Sequence, residues 1–216
     1  MRNKVIKNKK IIIATFAILA FLIILRDIYI SQVTYYDNWA YSLFVKNLRD
    51  ERITLIMKLI TSLGSVLVLL TILLLMFLLY KNKKDTIYAS INLILIYIIN
   101  NIIKLIVQRP RPSGYNIITE NSYSFPSGHS MVATAFYGFI IYLIYKNVEN
   151  RKKRNTLIAL LFSLIILICI SRIYLGVHYL SDTLGGFFFA LAYLMVYITL
   201  LNKVIGKWRE NEIKKN

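Results

Sequence analysis

From Leu59 to Tyr80 the chain carries no charged side chain and no proline. Wound as a helix at about 1.5 Å per residue, a run of that length covers the ~30 Å hydrocarbon layer of a bilayer. In lipid every backbone N–H and C=O must be satisfied within the protein, so such a run is compatible with a spanning helix and with little else. Six mostly apolar runs are predicted spans: about Ile11–Ile30, Ile53–Tyr80, Thr86–Ile106, Ser130–Tyr145, Asn155–Tyr174 and Thr183–Asn202. They are apolar all round rather than striped, as expected of helices surrounded by lipid and by each other. The expected fold class is therefore all-α, a polytopic membrane protein with about six transmembrane helices. At 57% hydrophobic residues the chain departs from soluble domains, which have about 45–50% even when glycine is counted.

No internal repeat and no Pro/Gly/Ser-rich linker divides the chain. A single membrane-embedded domain over 1–216 is expected, with its core at about 53–202 and a first span plus interfacial helix at 1–52. Basic residues followed by the run Ile11–Leu25 outline a signal peptide, but no A-x-A-like site follows, so a retained span is expected. Arg26 and Asp27 interrupt it and can pair with each other or reach the interface. Between the first two spans, Asp37–Arg52 is too polar to cross. Ala40, Leu43, Phe44 and Leu48 fall at helical spacing after Tyr35, Tyr36 and Trp39, which reads as an interfacial helix, the alternative being an ordinary loop. Cys169 lies within an apolar run; as the only cysteine it forms no intrachain disulfide and is expected to pack.

The formal charge of +17 raises the question of nucleic acid, which the placement of the charges answers. The two termini and the links after the second and fourth spans carry 18 of the 27 basic residues. By the positive-inside rule both termini are cytoplasmic, and the basicity is a topology signal rather than a nucleic-acid footprint. Lys104, Arg109, Arg111, Arg172, His178 and Asp182 then fall on the opposite, outer face.

Ionisable groups at a membrane boundary point to function by default. In Ser171–Asp182, His178 and Asp182 are four apart; on a helix they share a face, where a carboxylate fixes the imidazole tautomer and supports its cation. Such a histidine is prepared as nucleophile or base. The alternative is a helix end decorated with polar residues. Lys104 and Arg111 flank a helix end set by Pro110 and Pro112, and suit a tetrahedral oxyanion; alternatively they are cations snorkelling from a span. Pro126-Ser127-Gly128-His129 precedes the fourth span, where Ser127 or Ser130 can cap the helix and free N–H groups can face an anion. His129 beside that site is placed for general-acid work. Together these groups make a phosphoryl-transfer site that needs no metal, since Asp182 is the only outer-face acid within a motif. Tyr115, Tyr123 and Phe125 either line an entry or anchor the interface.

Lys104…Arg111-Pro112, Pro126-Ser127-Gly128-His129 and Ser171-Arg172…His178…Asp182 resemble the three signatures of the type 2 phosphatidic acid phosphatase family, K-x6-R-P, P-S-G-H and S-R-x5-H-x3-D. Thr61-Ser62-Leu63-Gly64-Ser65 is similar to that family's entry into the second span. The resemblance implies a helical bundle of the type shared with vanadate haloperoxidases and an integral membrane lipid phosphatase of the bacterial cell membrane. Its implied substrates are lipid phosphates or diphosphates: phosphatidylglycerol phosphate, phosphatidic acid or undecaprenyl diphosphate. It implies His178 as nucleophile forming a phosphohistidine, oriented by Asp182, with His129 as general acid. Lys104, Arg111, Arg172, Ser127 and the Gly128 backbone are implied to hold the phosphate oxygens, without cofactor or metal. Arg109 lies outside the signature and is expected only to steer anionic headgroups. A lipid phosphotransferase with the same site and a lipid-anion transporter are the alternatives; the oligomeric state stays open.

Overall fold

The computed structural model describes residues 2–215, with side chains described for residues 9–205, and these residues form helices and connecting loops. In chain order they are α1 (Arg2–Ser31), α2 (Tyr35–Tyr41) continuing into a π-helical turn at Ser42–Asn47, α3 (Glu51–Ser62), α4 (Val66–Leu79), α5 (Lys83–Val107), α6 (Gly128–Asn147), α7 (Arg151–Tyr174) and α8 (Leu180–Lys215). Five are long and apolar enough to cross a membrane: α1, α5, α6, α7 and α8. Of the basic residues used for the topology expectation, Arg2, Lys4, Lys7, Lys207, Arg209, Lys214 and Lys215 lie outside the residues whose side chains are described.

The predicted second span is not one rod. It is the pair α3 and α4, bent by 51° at Leu63-Gly64-Ser65. The freed groups are satisfied locally: Ser62 turns its hydroxyl back to the Leu59 carbonyl at 2.7 Å, and Ser65 Oγ caps α4 by accepting from Val68 N. From α6, the Tyr137 hydroxyl donates to the Leu63 carbonyl at 2.7 Å, and backbone polar groups left by a break inside a bundle need such partners. Gly64 sits in the break because a Cβ there would come within 2.9 Å of Ile168 and 3.3 Å of the His129 ring.

Helix α6 is the central element. Its span is 56% buried, against 22–33% for the others, with Met131, Ala133, Ala135, Phe136 and Phe139 fully enclosed. Association within lipid depends on close packing rather than on water exclusion, so this contact density is what orders the bundle. Helix α1 lies along α8 through edge-on contacts of Phe16 with Phe188 and of Phe21 with Phe189. Asp27 meets the Tyr36 hydroxyl at 3.5 Å rather than Arg26. Cys169 sits in the last two turns of α7 as a free thiol.

The interfacial segment is helical but shorter than expected. Thr34 and Asp37 form a reciprocal capping box that starts α2, and Asp50 begins the next helix by accepting from Arg52 N at 2.8 Å. Tyr35 and Trp39 are exposed, but Asp37 and Ala40 are fully buried, so α2 presses a charged face into the protein.

Candidate active site

At the end of α5 the left-handed Gln108 closes the helix, and residues 109–127 fold back over the bundle before α6 begins. The two prolines prevent helix continuation, and side chains from both flanks pin the loop. Lys104, on the last turn of α5, donates to Ser122 Oγ at 3.1 Å and to the Tyr123 carbonyl. Arg111 Nε donates to the Ser122 carbonyl at 2.6 Å.

The connection from α7 to α8 supplies the histidine. Gly176 holds φ +75°, a left-handed turn that L side chains avoid, and a Cβ would collide with the Tyr115 carbonyl. The turn means that His178 and Asp182 do not share a helix: His178 precedes α8, and Asp182 is in its first turn. They nevertheless meet, with His178 Nδ1 3.5 Å from Asp182 Oδ2. Ser124 Oγ stands between them, 3.4 Å from Nδ1 and donating to Asp182 Oδ2. On the other ring edge, Arg111 Nη1 lies 3.1 Å from His178 Nε2. A guanidinium has no lone pair to offer, so Nε2 is the acceptor and the proton sits on Nδ1. Burial, reinforced by Arg111, Arg172 and Lys104, holds the imidazole well below its ordinary pKa of 6.5, so it is neutral. A neutral ring with its proton on Nδ1 is the form that can attack phosphorus through Nε2 once Arg111 turns to another acceptor.

A cavity of 220 Å³ has Lys104, Arg111, Glu120, Gly128, His129 and His178 on its polar wall and Gly64, Val66 and Tyr97 on its apolar one. A second, 520 Å³ cavity shares Asn101, Lys104, Arg111 and Ser122 and adds Tyr123. The bend between α3 and α4 brings Gly64 and Val66 to the first cavity, so its apolar wall runs out to the exposed surface of the bundle at Val66 and Tyr97.

Two expected phosphate contacts look different in three dimensions. Ser127 Oγ is taken up as the cap of α6, accepting from Ser130 N and Ser130 Oγ, and Ser127 is fully buried outside the cavity lining. Arg172 is 1% exposed and lies behind Glu120, to which its Nη2 donates; Nη1 donates to Thr61 Oγ1 at 2.9 Å. Burial pushes the Glu120 carboxyl up, but Arg172 and then Arg111 hold it below its usual value, so it is ionised. Glu120 is the only acid in the loop between the first two motifs, a signal the sequence offered without a motif to attach it to.

Arg109 corrects the sequence reading. It is 3% exposed and paired inside the protein rather than standing free at the surface; Nη1 reaches Asp182 Oδ1 at 2.6 Å and Nη2 reaches Asp37 Oδ2 at 2.9 Å. Of the aromatic residues, Phe125 is fully buried and stacks on Phe21 at 5.8 Å, Tyr123 borders the outer cavity, and Tyr115 is exposed against Tyr41.

The model of the PAP2 superfamily matches residues 85–205, which include every one of the three motifs. The chain belongs to the PAP2 superfamily. Within it, the chain is 40% identical over 91 residues to phosphatidylglycerophosphatase B of Bacillus subtilis, covering 42% of this chain and 45% of that protein. It is 35% identical over 101 residues to dolichyldiphosphatase of Saccharomyces cerevisiae, covering 42% and 41%. The matched segments thus span under half the length of these curated relatives. The crystal structure of a transmembrane PAP2-type phosphatidylglycerolphosphate phosphatase from Bacillus subtilis superposes with a TM-score of 0.81 at 29% identity, covering 88% of this PAP2 chain and 96% of that one. The all-helical membrane fold is therefore that of a PAP2 phosphatase.

Proposed function

We propose that the protein is an integral membrane lipid phosphatase that hydrolyses lipid phosphates or diphosphates through a phosphohistidine, without a metal. The observation that carries this reading is the polarised histidine: Arg111 faces Nε2 of His178, Asp182 and Ser124 stand behind Nδ1, and Lys104 and His129 share the cavity. His178 Nε2 attacks phosphorus as the P–O bond to the lipid breaks, and His129 gives its proton to the departing oxygen. Water then attacks the phosphohistidine while His129 takes its proton, the P–N bond breaks, and inorganic phosphate leaves. Lys104, Arg111, Arg172 and the Gly128 backbone at the start of α6 stabilise the charge spread over the phosphoryl oxygens. On this reading Lys104 and Arg111, which line the cavity, supply the positive charge that a metal would otherwise bring.

The apolar side of the cavity supports a lipid substrate. Val66 and Tyr97 border it and are 44% and 50% exposed on the outer surface of the bundle, so a headgroup can enter while its tail stays in lipid. Phosphatidylglycerol phosphate, phosphatidic acid and undecaprenyl diphosphate meet this description. The charge bias supports an orientation with both termini in the cytoplasm and the site on the outer face. The test is phosphate release from a panel of these lipids by purified protein in detergent with chelator, beside His178→Ala. Phosphate release and an acid-labile, base-stable phosphoenzyme are expected from the native protein alone; full activity in His178→Ala, or strict need for an added divalent metal, would sink the mechanism.

A further inference from the structure

Helix α8 begins badly by its own sequence. Tyr179 stands at the cap position and has no side-chain oxygen near enough to accept from the first turn, whose N–H groups lack partners within the helix. Two carboxylates make up the deficit. Asp182 reaches back to Tyr179 N at 2.8 Å, and Asp37, from α2, accepts Ser181 N at 2.8 Å and Ser181 Oγ at 2.8 Å. Between the carboxylates lies Arg109, with Nη1 on Asp182 and Ser181 Oγ at 2.6 Å and Nη2 on Asp37 and the Gln32 carbonyl, its guanidinium stacked 4.2 Å over Tyr179. All three charged side chains are at most 2% exposed. Asp37 lies outside the family-matched residues 85–205.

Two carboxylates and one guanidinium leave the cluster with a single net negative charge. If Arg109 faced Asp182 alone, the pair would be neutral and Asp182 would do little for a cation forming on His178. We propose that Asp37 and Arg109 are positioning residues for the reaction: Arg109 fixes the Asp182 carboxylate with Oδ2 toward His178, and Asp37 offsets the guanidinium so that the cluster still stabilises positive charge on the imidazole. This deepens the phosphohistidine reading and rests on it. The other groups around His178 are cationic, paired or a second imidazole: Lys104 from α5, Arg111 and Glu120 from the loop, His129 from α6 and Arg172 from α7, while Asp37, Tyr41 and Tyr179 border it on the far side. The cluster is thus the main unneutralised negative charge facing the ring, and its net value matters.

The chain has only two histidines, so a His129→Gln background leaves a single imidazole to follow by 15N NMR in detergent, without turnover. There, Asp37→Asn is expected to lower the His178 titration midpoint by roughly half a unit or more, since removing a negative charge disfavours the imidazolium. Arg109→Gln is expected to raise it by a similar amount, and the double variant to return it near the starting value. With His129 restored, Asp37→Asn lowers kcat about tenfold with KM nearly unchanged, and Asp37→Glu recovers part of the loss. A midpoint unmoved by both single changes, or moved the same way by both, overturns the proposal. Should Arg109→Gln not fold, Asp37→Asn decides alone. Loss of folded protein in both would assign the cluster to structure and overturn it equally. Phosphate release by the native protein reports separately on the phosphatase reading.

Discussion

The Arg172 guanidinium is paired with the Glu120 carboxylate, the arginine side chain being 1% exposed and the glutamate 27%. Glu120 Oε2 also lies 3.9 Å from Arg111 Nη2, so one carboxylate faces two of the cations proposed for phosphate. An incoming phosphate must compete with it. Glu120→Gln is therefore expected to tighten inhibition by inorganic phosphate or vanadate about tenfold, a change of about 1.4 kcal/mol. An unchanged inhibition constant would show that the carboxylate does not occupy the anion's place.

The same pair sets an acid limit. The Glu120 pKa is lowered in the fold, so its contribution to stability is present above the unfolded value of about 4.3 and is lost as pH falls through the folded one. The Tm of the native protein should exceed that of Glu120→Gln at pH 7, and the two should converge below about pH 4. A gap that persists in acid would assign the difference to packing.

His178 stays neutral well below pH 6.5, so the acid limb of kcat/KM due to the nucleophile is expected below about 6.5. His129 is distinguished by leaving group. His129→Ala should lose about 10²–10⁴-fold in rate on an alkyl phosphate, and far less on a p-nitrophenyl ester, whose oxygen leaves without a proton. Equal losses on both would remove His129 from the acid role.

Tyr137→Phe withdraws the hydroxyl that satisfies the Leu63 carbonyl in the bend between α3 and α4. The carbonyl is only part-buried, so leaving it without its partner costs at most about 1–3 kcal/mol. A fall in Tm in detergent is expected, and lipid hydrolysis should suffer more than hydrolysis of a short water-soluble ester, because the bend shapes the apolar wall. Equal effects on the two substrates would disconnect the bend from lipid entry.

A cysteine placed at the exposed Asn116, in a Cys169→Ala background, is expected to react with a membrane-impermeant maleimide on intact cells. Labelling only after lysis would reverse the proposed orientation.

The apolar runs and the three motifs were legible because each is local: spans follow from unbroken hydropathy, and each motif keeps its spacing within one helix end or turn. Residues acting across the chain were not. Asp37 and Ser181 are 144 positions apart, and Arg172 reaches Thr61 across 111. No periodicity marks such pairs. Arg109 differed from Arg111 by two positions in an extended loop, which sends their side chains to different partners, one to Asp182 and one to His178. The bend at Leu63-Gly64-Ser65 was hidden by its own apolar flanks, because the carbonyl it exposes is satisfied from another helix. The i,i+4 spacing of His178 and Asp182 brought the right residues together for the wrong local reason: a turn at Gly176, not a shared helical face, sets their distance.

The hydrogen bond from Arg111 to Nε2 of His178 also works as an interlock. Under the proposed mechanism, the lone pair that must reach phosphorus is held by a guanidinium, which shields it from stray electrophiles. A phosphate gives Arg111 a better-charged acceptor than a neutral imidazole, so the ligand that needs the nucleophile is the one that releases it.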